Sequence, residues 1–384
     1  MPGGPNIGIL ITGAPGTLAM YLLRELILSN KAKNTTYIFC LLRTCDGSDI
    51  TAETRLSHKW EELFKSSLSE FVKNSSFITI TAISGDVSQS MLGLQDPATY
   101  KQIVSRVRII FHCAADVHMF RNYAAMKISN VRGARNIIQF ALESNPRKKI
   151  NYISTAAVCE DYNSPLRASP LHGNGPYSRE GYSQSKWVAE NLVWKASQAF
   201  NLNVSIFRCG FIYGGQTGVN MNTKKTGGTT AVTHIMSIIY RLCFRLNSYP
   251  VEMLDPLVIK EGHAVKHIAT VGVSTTDEYG TFHHLGGKLH GVIEILRNKF
   301  ALRGIPFKDW FALLLKKFDE DPEDMDIFLG KEWFSRIRQY VKDSGQDALF
   351  HFKLELEKTP VIGGIEDEIG PNYDAEEYLI SVTR

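Results

Sequence analysis

The stretch from Ile7 to Leu28 permits few folds. Ile7 to Thr12 is a short apolar run, Gly13-Ala14-Pro15-Gly16-Thr17-Leu18-Ala19 follows it, and Met20 to Leu28 carries apolar residues at helical spacing. A buried strand, a glycine turn and an amphipathic helix in that order form the opening of a doubly wound parallel sheet. Glycines at such a turn let backbone come close to a diphosphate, and the helix start adds N–H groups and a positive dipole end. The spacing is Gly-x-x-Gly-x-x-Ala, with Gly13, Gly16 and Ala19 as the small residues.

The alternation continues down the chain. Tyr37 to Leu42 reads as a strand ending at Arg43, and Thr51 to Val72 as one long amphipathic helix. Phe77 to Ile83 is a strand that runs into Gly85-Asp86, and Val107 to Cys113 one that closes in His112-Cys113-Ala114-Ala115. A helix over Asn122 to Leu142 precedes a strand from Lys149 to Ile153 ending in Ser154-Thr155, and Val204 to Arg208 leads to Cys209-Gly210-Phe211-Ile212. From about Gly215 the pattern breaks down: a Gly/Thr-rich loop (Gly214 to Thr230), a helix from Ala231 to about Leu246, a segment from Leu257 to Val273 that rejoins the sheet, and a strand at Thr281 to Leu285. Helical patterns follow at Val292 to Ala301, Phe307 to Phe318 and Glu332 to Val341. The expected fold class is α/β: a Rossmann-type doubly wound parallel sheet over residues 1–215, with sheet contributions from about 255–285, and a smaller, mostly helical substrate domain over 216–384.

Strand ends in such a sheet face the ligand crevice. Arg43 stands where an acidic residue would bind a ribose 2′-hydroxyl; arginine suits a 2′-phosphate, and Arg55 supplies a second guanidinium, which favours NADPH over NADH. Asp86 is placed either to accept from an adenine amino group or to cap a turn. Ala114 and Ala115 leave room for a ribose and diphosphate, His112 reads as a structural histidine, and Asn130 as a mid-helix tie between neighbouring strands. The hydroxyls of Ser154 and Thr155 lie on the crevice side. Next comes Gly181-Tyr182-Ser183-Gln184-Ser185-Lys186. Tyr182 and Lys186 share one helix face, and an ammonium there is expected to favour the phenolate and draw the phenol toward neutrality. Tyr182 would then serve as proton donor or acceptor near neutral pH.

Composition excludes several classes. At 384 residues with ordinary apolar and charged fractions, the chain buries a large core and is neither disordered nor fibrous. Its net charge of +4, with no clustered Lys/Arg tract, calls for neither nucleic acid nor an anionic membrane. The six cysteines never fall at C-x-x-C spacing, which points to a reducing compartment without disulfides or structural zinc. His283-His284 is rejected as a metal pair, because adjacent strand residues face opposite ways. Without a signal-peptide pattern or an apolar window long enough to cross a bilayer, the expected location is cytoplasmic.

As an ordered set, Gly13-x-x-Gly16, Arg43, Gly85-Asp86, His112-x-Ala114-Ala115, Asn130, Ser154-Thr155, Tyr182-x-x-x-Lys186 and Arg208-x-Gly210 resemble the extended short-chain dehydrogenase/reductases. Closer cues are Leu41-Leu42-Arg43 with Ala52-x-x-Arg55-Leu56, Ile153-Ser154-Thr155-Ala156, Tyr182-x-x-Ser185-Lys186-Trp187-x-x-Glu190 and Gly304-Ile305-Pro306-x-x-x-Trp310. With these the chain is most similar to the terminal thioester reductase domains of nonribosomal peptide synthetases, polyketide synthases and carboxylic acid or aminoadipate reductases, from about Ile7 to Phe318. Departures are Ala19 in the glycine loop, Pro15-Gly16-Thr17 in place of a bulkier aromatic after the second glycine, and a poorly matching segment from Leu254 to Lys266.

The resemblance implies an NADPH-dependent enzyme. Thr12, Gly13, Pro15, Gly16, Thr17 and Leu18 would hold the cofactor at the first turn, with Arg43, Arg55, Gly85 and Asp86 at its adenosine end. Ala114, Ala115, Asn130, Ser154, Lys186, Cys209, Gly210, Phe211 and Ile212 would line the remainder. Thr155, Tyr182 and Lys186 would be catalytic. An acyl or peptidyl carrier protein would present a phosphopantetheine thioester, Thr155 and Tyr182 would stabilise the oxyanion, Tyr182 would donate the proton, and an aldehyde would leave; a second reduction to the alcohol stays open. The expected unit is a monomer, with the start at Ile7 favouring a domain excised from behind a carrier protein. Three other activities compete: Dieckmann-type release without reduction, as in some fungal hybrid synthases; another short-chain reductase or epimerase acting on a small molecule; and a non-catalytic NADP-sensing regulator. Retention of Thr155, Tyr182, Lys186 and Arg43 together favours reduction.

Overall fold

The inner strands of the main sheet are runs buried on both faces, as a sheet covered by helices on either side requires. The computed structural model describes residues 7–29, 35–43, 50–73, 77–118, 121–144, 147–158, 169–171, 173, 175–176, 181–213, 235–251, 257–274, 280–288 and 291–344. The first elements are β1 (Ile7–Thr12), α1 (Thr17–Ser29), β2 (Thr36–Leu42), α2 (Ala52–Phe64), α3 (Leu68–Lys73), β3 (Ile78–Ser84), α4 (Pro97–Arg106) and β4 (Val107–His112). They are followed by α5 (Tyr123–Leu142), β5 (Lys149–Thr155), α6 (Gly181–Phe200), β6 (Val204–Cys209), β7 (Phe211–Tyr213), α7 (Ile235–Arg245), β8 (Ser248–Pro250) and β9 (Leu257–Lys260). Last come α8 (Glu261–Val273), β10 (Thr281–Leu285), β11 (Gly287–Lys288), α9 (Val292–Asn298), β12 (Arg303–Ile305), α10 (Phe307–Glu320) and α11 (Met325–Ser344). None of the described helices is long and apolar enough to cross a membrane.

The chain divides into two compact units. The first holds β1 to β6, β10, α1 to α6 and α8. Among the described residues its seven strands form one parallel sheet in the order β3-β2-β1-β4-β5-β6-β10. The order reverses between β1 and β4, and there the carboxyl ends of a doubly wound sheet open a crevice. Ile110, Ile150, Val204 and Ile206 of the sheet pack with Ala134, Ile137 and Phe140 of α5 and with Ala189 and Val193 of α6.

Two expectations change here. The long helix expected over Thr51 to Val72 is broken: Lys65 takes a left-handed conformation (φ 53°, ψ 29°) as the C-cap of α2, and Ser67 Oγ accepts from Glu70 N–H at 3.1 Å to start α3. The segment from Leu257 to Val273 adds no strand to the main sheet; Leu257–Lys260 pairs with β7 and β11 in the second unit, and the remainder is the helix α8. The Gly/Thr-rich loop from Gly214 to Thr230 lies outside the described residues.

The second unit carries the short strands β7, β8, β9, β11 and β12 besides the longer helices α7, α10 and α11 and the short α9. Trp310 anchors its helical part. It is fully buried, donates from its indole N–H to the Ser248 carbonyl at 3.0 Å, and meets Phe334 edge-on at 5.3 Å. Pro306 caps α10, its carbonyl accepting from Trp310 N–H at 3.0 Å, which ties the Gly304-Ile305-Pro306-x-x-x-Trp310 motif to this packing. Trp310→Ala should cost about 3–5 kcal/mol in denaturant unfolding of the protein; a change below about 1 kcal/mol would show that the indole is not the anchor.

Candidate active site

At the end of β1 the backbone itself makes the first part of the site. Gly13 has φ +83°, and a Cβ there would lie 2.6 Å from the Ala114 nitrogen, so the turn after β1 runs in contact with the backbone after β4. Gly16 N–H donates to the Gly13 carbonyl at 2.8 Å, closing the turn, and a Cβ on Gly16 would sit 2.7 Å from that same oxygen. Pro15 and Gly16 lead directly into the first turn of α1 at Thr17 and Leu18, whose N–H groups have no intrahelical acceptor. Behind them Thr12 Oγ1 shares a 2.8 Å hydrogen bond with His112 Nδ1 and accepts from Ala114 N–H at 3.3 Å. The Thr12 hydroxyl therefore buttresses the loop that carries Ala114 and Ala115. His112 is buried, and burial first, then the Lys186 charge, hold its imidazole down to about 3, so it stays neutral. That is the chemistry of a structural histidine.

At the ends of β2 and β3, Arg43 is exposed, and Arg55, on the first turn of α2, donates to the Arg43 carbonyl. The Arg55 guanidinium thus reaches the end of β2 beside the exposed Arg43. Gly85 N–H donates to the Leu42 carbonyl at 2.8 Å, and Asp86 Oδ1 accepts from Ser88 N–H at 2.7 Å. Asp86 caps its own turn in this way.

Beyond β5 the hydroxyl-bearing residues come together. Thr155, last in β5, lies close enough to the Tyr182 phenol to favour its ionised form. Tyr182 opens α6, whose start is held by a relay: Ser185 Oγ donates to the Tyr182 carbonyl at 2.8 Å, and Asn130 Nδ2 donates to Ser185 Oγ at 2.8 Å. Asn130 also brackets Asp116, accepting from its N–H at 2.6 Å and donating to its carbonyl at 2.9 Å. The tie expected of Asn130 therefore joins the loop after β4 to the helix of Tyr182, not two strands. Ser154 points the other way, buried, with Oγ donating to Glu190 at 2.5 Å.

The expected phenol shift is reversed. Tyr182 keeps a partly exposed flank, yet withdrawal from water, with a smaller push from Cys209, raises it to about 12 against the opposing influence of Thr155. The Lys186 ammonium is directed elsewhere: it donates to the Ile153 carbonyl at 2.5 Å and lies 4.2 Å from the centre of the Tyr152 ring. Burial lowers Lys186 itself to about 8, only partly offset by Glu190, Cys209 and Cys113. At neutral pH the site offers a neutral phenol and a mostly charged ammonium, the protonation states of a proton donor beside a cation.

Cys209 is buried at the end of β6, opposite Thr155 in the sheet register. Gly210 belongs to the second unit, where Phe211 and Ile212 form β7 paired with Val258 and Ile259. In the first unit His283 shares a 3.3 Å contact with His267 and stacks on Phe207, and among the described residues no cluster of His, Cys, Asp and Glu is arranged to hold a metal. Glu190 and Arg208 were visible only as motif letters. The signals for them were a carboxylate continuing the four-residue spacing of Tyr182 and Lys186, and a charge inside the otherwise uncharged buried run of β6.

A turn with no space for a Cβ, an open helix start and two arginines, Arg43 and Arg55, joined at the next strand end fit a dinucleotide. The profile of an NAD-binding family described as Male sterility protein matches residues 11–258. The chain belongs to that family. The NAD-binding character of that family agrees with the dinucleotide fit of the turn after β1. A linear gramicidin synthase component from Brevibacillus parabrevis is 31% identical to it over 343 residues, which cover 88% of this chain and 6% of that protein. This family member thus spans a small part of such a relative. In fold it is similar to the terminal R domain from the myxalamid PKS-NRPS biosynthetic pathway (TM-score 0.75, 24% identity, 98% of this chain and 89% of that one). It is also similar to a thiolation-reductase di-domain from an archaeal non-ribosomal peptide synthetase (TM-score 0.68, 18% identity, 98% and 74%).

The buried His112 has a consequence for stability. The unfolded chain takes up a proton near the ordinary value of 6.5, whereas the folded state resists until about 3. Its contribution is therefore complete above 6.5 and declines as pH falls toward 3. Urea unfolding across that range should show the decline, and His112→Gln should flatten part of it; an identical slope in the variant would remove His112 as its source.

Proposed function

We propose that this protein is an NADPH-dependent reductase that releases a carrier-bound acyl or peptidyl thioester as an aldehyde. The observation that carries the proposal is the convergence of Thr155, at the carboxyl end of β5, with Tyr182 at the start of α6, Thr155 acting directly on the phenol, and Lys186 one helical turn along, bonded to the Ile153 carbonyl of the same strand. The synthase relative and the thiolation-reductase di-domain support a phosphopantetheine thioester on a carrier protein as the substrate.

When bound, reduced nicotinamide supplies the hydride. As the thioester carbonyl carbon is reduced, charge collects on its oxygen, and the Thr155 and Tyr182 hydroxyls stand together to receive it; such stabilisation is usually the largest catalytic contribution. Tyr182, held protonated by burial, gives its proton to that oxygen. The resulting thiohemiacetal breaks its C–S bond, the sulfur leaves as the pantetheine thiol, and the aldehyde is released. Lys186, one helical turn from Tyr182, would hold the nicotinamide ribose and supply a positive charge to that side of the site. Arg43 and Arg55 select the 2′-phosphate.

Incubation with NADPH and a panel of acyl-pantetheine thioesters should yield aldehyde and free thiol, identified by mass, with NADPH consumed in proportion. Products formed without NADPH consumption would overturn the reading. Tyr182→Phe should lose on the order of 10²–10⁴-fold in kcat while still binding NADPH, and unchanged turnover would remove Tyr182 as the donor. Arg43→Ala should weaken NADPH binding by roughly 10–100-fold, the worth of a charge-assisted hydrogen bond, and leave NADH binding nearly unaltered. Equal use of both cofactors by the wild type would refute the preference.

A further inference from the structure

One helical turn beyond Lys186 lies a buried ion pair. The Glu190 and Arg208 side chains retain 1% and 2% of their exposure. Arg208 donates to Glu190 Oε1 at 3.0 Å through Nε and 2.6 Å through a terminal nitrogen, which also donates to the Ser169 carbonyl at 2.8 Å. The other Glu190 oxygen accepts from Ser154 Oγ at 2.5 Å. One carboxylate thus gathers α6, the ends of β5 and β6, and the stretch preceding α6. Desolvating two charges costs about as much as their attraction returns, and apolar replacements of buried pairs are often neutral or stabilising. Stability therefore gives no reason for the pair, whereas its location does. Ser154 adjoins Thr155, and Glu190 follows Lys186 at the same spacing as Lys186 follows Tyr182, which aligns the three on one helix face.

We propose that Glu190 is a positioning residue for Tyr182 and Lys186: anchored by Arg208, it holds the end of β5 through Ser154 and sets a carboxylate one turn from the Lys186 ammonium. This rests on the roles given to Tyr182 and Lys186 in the proposed reaction. The groups around the ammonium are His112 and Cys113 from the β4 end, Tyr152 from β5, Cys209 from β6, and Tyr182 and Glu190 from α6. His112 is held down to about 3, and Cys113, Cys209 and Tyr182 are pushed up to about 12, so these four carry no charge near neutral pH. Glu190 supplies the negative charge of the set, and it is the largest influence opposing the fall of Lys186 to about 8.

The double variant Glu190→Gln/Arg208→Gln removes both charges without stranding either partner. With lysine labelled at Cε, the Lys186 signal (assigned by its loss in Lys186→Arg) should titrate near 8 in the wild type and about one pH unit or more lower in the double variant. The kcat/KM for NADPH should follow, with the alkaline limb displaced equally and a loss of about tenfold above it that shrinks to about twofold near pH 7 and fades toward pH 6. A purely structural role lowers rates evenly across pH. Glu190→Asp, which keeps the charge but is too short to hold Ser154 and Arg208 at once, gives a second reading if the double variant fails to fold; a smaller displacement in the same direction is expected. An unmoved Lys186 midpoint in either folded variant overturns the proposal. A displaced midpoint in a protein that reduces no thioester retains Glu190 as the residue that sets Lys186 and rejects the proposed reaction instead.

Discussion

Backbone meets backbone where the turn after β1 passes the loop after β4, and the rest of the site is laid out from that contact. Any side chain at Gly13 would collide with Ala114, and its left-handed conformation disfavours other residues as well. The contact falls where the strand order reverses, the one place in a doubly wound sheet where adjacent crossovers leave on opposite faces and open a crevice. Thr12 and His112 lock it from behind by joining the ends of β1 and β4. The start of α1, the Arg43 strand end and the hydroxyls of β5 are then arranged along one edge of the sheet.

Burial, more than pairing, sets the charges along that edge. Helical spacing brings Tyr182 and Lys186 together, and in water the ammonium would acidify the phenol. In the folded chain withdrawal from solvent dominates instead, raising Tyr182 and lowering Lys186, since a low-dielectric setting opposes any charged form. A phenol held neutral suits proton donation to a strongly basic alkoxide, which is the direction a reduction needs. The ammonium is bonded to the Ile153 carbonyl and lies over the Tyr152 ring, and the Glu190 carboxylate, itself paired with Arg208, partly offsets the effect of burial on it.

Much of the first unit was legible because a parallel sheet covered on both faces demands buried, largely apolar runs, and β1, β2, β4, β5 and β6 are such runs despite single polar residues. The split of α2 from α3 was not, because the amphipathic spacing continues past Lys65 and only a backbone torsion ends the helix. The glycine-turn residues and the grouping of Thr155 with Tyr182 follow from strand-end logic. The inward turn of Ser154 does not, since neighbouring residues of a strand face opposite sides and a hydroxyl is equally at home on either.

The sequence by itself determined the fold class, the turn after β1 and the spacing of Tyr182 and Lys186, because these depend on local periodicity and on residues without alternatives, such as glycine at a left-handed turn. Tertiary structure alone decided which hydroxyls face which partner, that Asp86 caps its own turn, that Phe211 and Ile212 pair within the second unit, and that burial reverses the Tyr182 shift. Each of those outcomes depends on groups far apart in the chain and on how much water folding removes from around them, and neither quantity is written in the spacing of residues.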